Sequence, residues 1–185
     1  MSSPCDPKYA PVGDIGGALL MIDSRLKAIY DSKTETESES DAEQQQMVEQ
    51  FAASLGPTGI DELLEGTGTL IYSFMEWLRK ACEDHDKDVI EYVVPALVAT
   101  MRMMPKTFRP EVIPTMAGLL IAAGTGLSPN LWREQYGPWT DAEMTPLEAT
   151  AVLLAEHINR VTDDQDFATR LITEALTRTD QTDQG

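Results

Sequence analysis

Cysteine and histidine number only two each in 185 residues, and basic side chains number 14 against 31 acidic ones. Cys5 and Cys82 cannot build a disulfide framework, and neither has a second cysteine nearby for a thiolate metal site. The shortage of Lys and Arg argues against nucleic acid as a partner, because phosphate recognition needs clustered cations. It equally disfavours an anionic membrane surface. The opening residues Met1 to Asp6 show neither a basic region nor an apolar stretch, so a cytoplasmic location is expected. No cofactor is implied by any pattern in the chain.

What is present is enough for a core. With 42% apolar residues the chain is not a disordered one, and its length suits one domain or one domain with a small appendage. The net charge of −17 is unevenly spread: residues 1–100 carry −12, residues 101–140 carry +2 and residues 141–185 carry −7. The middle of the chain is therefore slightly basic between two acidic flanks. A region of unusually deep burial would give the same scarcity of charge.

Apolar residues recur at helical spacing almost throughout. The pattern predicts helices at 15–30, 41–55, 60–81, 87–104, 110–123, 129–136, 146–161 and 164–178. The second of these rests on Met47, Val48, Phe51, Ala52 and Leu55 behind a Ser40/Glu43 capping box. Asp86 is the expected N-cap of the fourth, which Pro95 should kink or restart. Thr145-Pro146 with Glu148 is the expected start of the seventh, with Leu147, Ala151, Leu154, Ile158 and Val161 inward. The last should turn Phe167, Leu171 and Ala175 inward. Residues 31–40 have no apolar side chain and read as a mobile acidic loop. No period-2 run of useful length appears. The expectation is an all-α, compact multi-helix bundle of seven to nine helices: a lead-in at 1–14, one helical domain over 15–179 and a polar tail at 180–185.

Residues 112–132 contain no charged side chain over 21 positions, yet Gly124, Gly126, Ser128 and Pro129 divide them into a buried helix, a turn and a new cap. A membrane span is not expected. Asp84, Asp86 and Asp88 alternate as an EF-hand loop begins. Val89 and Pro95 then stand where that loop needs its glycine and its bidentate glutamate, so no metal site is expected there. His85 reads as part of a solvated connector, and His157 as a boundary residue of a helix. Gly66-Thr67-Gly68 and Gly124-Thr125-Gly126 lack the rest of a phosphate loop. The first reads as a close helix contact and the second as a helix stop.

Aromatic residues are few, so their clustering carries weight. Trp132, Tyr136 and Trp139 gather around Gly137-Pro138, in the same 101–140 stretch as Phe108, Arg102, Arg109 and Arg133. These seven residues are the candidate binding set, because Trp and Tyr are common interface anchors and arginine takes anions in bidentate fashion. Core filling is the competing account of the same side chains. No catalytic constellation emerges. The functional expectation is a non-catalytic acidic helical module for protein–protein interaction or regulation, with a protein partner or self-association. A small-ligand binder or helical enzyme with a pocket near 101–139 is one alternative. An inhibitor that mimics nucleic acid toward a basic partner is another.

Overall fold

The computed structural model describes residues 4–32 and 57–183, and the expected loop at 33–40 and helix at 41–55 lie outside the described residues. The helices are α1 (Ile15–Ser32), α2 (Pro57–Glu83), α3 (Val89–Tyr92), α4 (Val94–Arg102), α5 (Ile113–Gly124), α6 (Pro129–Glu134), α7 (Asp141–Thr162) and α8 (Phe167–Asp183). A single 3-10 turn at Pro7–Tyr9 precedes them, and no strand occurs among the described residues. The fold is an all-α bundle, as the periodicity predicts.

Helix α2 is its axis. It is 27 residues long, about 40 Å at 1.5 Å per residue, and it contacts α1, α3, α5, α6, α7 and α8. Leu64, Thr67, Ile71, Phe74 and Leu78, spaced three and four residues apart, are buried, joined by Leu63, Leu70 and Met75, and Ile60 at the start of the stripe is partly buried. Burial of each large side chain is worth about 1.5–3 kcal/mol. Its glycines permit close approach, as the Gly-Thr-Gly spacing suggests. A Cβ on Gly66 would fall inside the Asp14 carbonyl oxygen, and one on Gly68 inside the Asn130 side-chain oxygen. Asp14 in turn starts α1: its backbone N–H donates to Glu62 O at 2.7 Å and its Oδ1 accepts from Gly17 N at 2.9 Å.

Three helices end in the same way, with an i to i−5 and an i to i−3 backbone bond around a left-handed residue. After α5 these are Leu127 N–H to Ala122 O and Gly126 N–H to Ala123 O, with Gly126 at φ 90°. After α2, Asp86 takes that position at φ 55°, and after α7 Asp163 does so at φ 53°. Asp86 therefore closes one helix instead of opening the next. The N-cap of α3 is Asp88, which accepts from Ile90 N at 2.9 Å. Pro95 restarts the helix: α3 stops at Tyr92 and α4 begins at Val94 with the proline in its first turn.

Other boundaries differ from the periodic reading for identifiable reasons. Helix α1 continues through Asp31 and Ser32, so the acidic stretch does not begin in a loop. Helix α7 starts at Asp141, not near Pro146, because Thr140 and Glu143 form the capping box that Thr145 and Glu148 were expected to form. Pro146 sits inside the second turn and forgoes one backbone bond. Val161 is 62% exposed, since the last turn of α7 leads out into the Asp163 stop. Helix α8 buries Ala168 and Ile172 and packs the expected Phe167 and Leu171 against the core with part of each exposed, whereas Ala175 is exposed. Asn159 sets this phase: it is buried, and its Oδ1 accepts from Ala168 N at 2.8 Å while its Nδ2 donates to Gln165 O and Tyr30 Oη. The backbone of α8 stays helical through Asp183, into the expected tail.

Candidate functional site

The corner between α6 and α7 gathers four of the seven candidate residues. Ser128 caps α6 by accepting from Leu131 N at 3.2 Å, and Pro129 fills the first helical position. Asn130 then locks α6 to the rest of the chain, donating to Pro11 O and Glu65 O, both at 2.9 Å. This fixes the direction of the next turn. Trp132 lays its six-membered ring against Gly118 of α5, where a Cβ would come within about 3.0 Å. Its other edge holds Tyr136, with ring centroids 5.2 Å apart. Tyr136 itself is 66% exposed.

Arg133 turns the opposite way. Its Nε donates to Gly137 O at 3.1 Å, its Nη2 to Pro138 O at 2.8 Å, and its Nη groups to both oxygens of Glu143 at 2.6 and 2.8 Å. The guanidinium also lies 4.5 Å from the centre of the Trp139 ring. Glu143 further accepts from Thr140 N and Thr140 Oγ1. Burial pushes the Glu143 carboxyl up, but the Thr140 hydrogen bonds and the Arg133 charge together outweigh it and hold it below its usual value. One ion pair thus staples the turn between α6 and α7, and most donors of Arg133 are spent on the chain itself.

The remaining candidates lie elsewhere. Phe108 is 1% exposed and belongs to the core. Arg102 and Arg109 are exposed, on the far side of α4 and in the irregular turn before α5, and neither pairs with a carboxylate among the described residues. No hydrogen bond or ion pair joins either of them to the α6–α7 corner among the described residues. Carboxylates approach that corner instead: Glu65 has its pKa raised by burial first and then by Glu134, Asp61 and Glu62.

Groups able to do acid–base or nucleophilic chemistry are dispersed. Burial pushes the Cys82 thiol up, away from the reactive thiolate. Burial pushes His157 down, with the Arg160 charge adding to it. Neither histidine makes a hydrogen bond to a hydroxyl, a thiol or a carboxylate among the described residues. No three His, Cys, Asp or Glu side chains are gathered as a metal ion requires, and no helix is long and apolar enough to cross a membrane, again among the described residues.

Two cavities stand apart from the corner. A polar one of about 500 Å³ lies where α2 ends beside Gly124. A mostly apolar one of about 400 Å³ runs between α1 and α7 and is closed at one side by Met104 and Thr107. Sequence reasoning placed a pocket near 101–139 and missed the contribution of Arg25, Ile29 and Val152. Ile29 was legible as an inward residue, but a helical stripe does not reveal whether its neighbour packs tightly or leaves a trough. The pairing of Arg25 with Glu148 spans 123 positions and has no local signal. Comparison with models of protein families, with curated proteins and with solved structures finds no match to this chain.

Proposed function

We propose that this chain is a non-catalytic, acidic helical module that docks a basic protein partner at the α6–α7 corner. The observation that carries the reading is Tyr136: a large aromatic side chain, two-thirds exposed at 66%, held in place by Trp132. Rigid, half-supported aromatics are the usual anchors of protein interfaces. The surroundings give the sign of the partner. Glu134 lies two residues away, and Glu62 and Glu65 approach from α2 with no cation paired to them among the described residues. A face of that composition attracts Lys- or Arg-bearing surfaces and speeds their encounter.

The test begins with capture of partners from the native cell, comparing the wild type with Tyr136→Ser. A specific partner with a basic contact surface, bound at least about tenfold more weakly by Tyr136→Ser and more weakly at 0.5 M salt, supports the reading. A partner indifferent to both changes refutes it. Association of the chain with itself, lost in Tyr136→Ser and measured by sedimentation equilibrium, would replace the basic partner with a second copy.

A further inference from the structure

We propose that the trough between α1 and α7 is a binding site for a small apolar monocarboxylate, of the fatty-acid type. This inference goes beyond the docking role and uses none of its residues. The cavity of about 400 Å³ falls within the roughly 300–1,000 Å³ typical of small-molecule sites. Its floor is Ile29 from α1, Met104 from the turn after α4, and Ala149, Val152 and Leu153 from α7. These five side chains are apolar and suit a hydrocarbon tail, with Glu148 the charged neighbour on the same face of α7. Thr145 to Leu153 spans about 12 Å of helix axis, comparable to an extended eight-carbon acid.

The rim supplies the head-group chemistry. Arg25 is held by one hydrogen bond, from its Nε to Glu148 Oε1 at 3.0 Å, and its side chain is 43% exposed. Its terminal NH2 groups make no hydrogen bond to the described residues. A guanidinium fixed through Nε and open at both Nη atoms presents the fork that a carboxylate binds. The hydroxyls of Thr107 and Thr145 also line the cavity, and neither has a partner among the described residues.

One wall of the cavity comes from a stretch that carries only basic charge, although the chain as a whole is acidic. Residues 101–110, which form the Met104–Thr107 wall, contain Arg102, Lys106 and Arg109 and no acid. All three are exposed. Glu148 is the one acid lining the cavity, and it pairs with Arg25 through Nε alone.

The experiment titrates the full chain with sodium octanoate, followed by amide chemical shifts and by calorimetry. Saturable one-site binding is expected, with a dissociation constant below about 1 mM. Octylammonium, with the same tail and the opposite head, is expected to bind at least tenfold more weakly. Hexanoate should bind about tenfold more weakly than octanoate, since two methylenes leave the trough. In Arg25→Gln the octanoate affinity should fall about tenfold while that of neutral octanol is unchanged. Ala149→Phe fills the floor and should abolish both, with circular dichroism as the folding check on each variant. The proposal is overturned by absence of saturable binding up to 10 mM octanoate. Equal affinity for octylammonium overturns it, as does an Arg25→Gln variant that keeps the wild-type preference for the acid. None of these measurements involves Tyr136, so failure here leaves the docking reading untouched.

Discussion

Glu143→Gln is the sharpest perturbation of the corner that presents Tyr136. In the folded chain the Glu143 and Arg133 side chains are each 11% exposed and share two hydrogen bonds. Glutamine keeps the shape and one acceptor, but leaves the Arg133 charge buried without its counter-charge. Removing one partner of a buried pair costs about 3–5 kcal/mol. Because one face of this pair still meets solvent, the lower end, about 3 kcal/mol, applies. For a chain of this size that is a fall in Tm of about 6–12 °C. The pH dependence fixes the cause. The Glu143 carboxyl titrates below its ordinary 4.5 in the folded chain. Its contribution is therefore present in full above the unfolded value and is lost as pH falls through the lower folded value. The gap between wild type and variant should accordingly be constant from pH 7 to 5.5 and close below about 4.5. Urea unfolding at a series of pH values measures it, and the double variant with Arg133→Gln should lose less than the sum of the two single ones. A loss under about 1 kcal/mol, or a gap that persists unchanged at pH 3, would refute the argument.

Two further changes follow from backbone geometry. Asp163→Gly, at φ 53° in the stop after α7, should raise stability by about 0.5–1 kcal/mol; a lower urea midpoint than wild type would contradict the assignment of that turn. Gly66→Ala drives a methyl into the Asp14 carbonyl and should lower stability by about 2–3 kcal/mol, whereas Gly16→Ala, whose nearest neighbour is 3.9 Å away, should leave the urea midpoint within about 0.5 kcal/mol of wild type.

Much of the fold was legible because helices announce themselves locally. The stripes at Ala18, Leu19, Ile22 and Leu26, and at Met116, Leu119, Leu120 and Ala123, are the buried faces of α1 and α5. Glycine and proline marked the ends of α5 and the start of α6 correctly, since both act through φ and the missing N–H within a few residues. The errors arose where two local signals competed. Thr140/Glu143 and Thr145/Glu148 have identical spacing, and only the distant Arg133 and Arg25 decide which glutamate caps the helix and which pairs across the bundle. Aspartate at positions 86 and 163 was ambiguous for a similar reason. It serves N-caps well and also tolerates the left-handed region, and sequence alone does not say which hydrogen bonds its neighbours will make.

The candidate site divides along the same line between local and remote information. Trp132, Arg133, Tyr136 and Trp139 lie within eight residues, and a single turn brings them together. Phe108 is hydrophobic enough for either an interface or a core, and its place was settled by burial among residues far along the chain. The arginines show the limit most clearly. Arg133, Arg109 and Arg25 carry the same charge, yet Arg133 bonds to Gly137, Pro138 and Glu143, Arg109 faces solvent without a carboxylate among the described residues, and Arg25 borders an apolar trough. Charge is a property of the residue, whereas free donor capacity is a property of the fold. An arginine that has satisfied its donors on its own backbone can brace a binding surface but has little left for a ligand. For the proposed carboxylate site the residue to follow is therefore Arg25, which no composition shift or motif singles out. For the proposed docking of a partner it is Tyr136, which rests on Trp132 beside the turn that Arg133 closes.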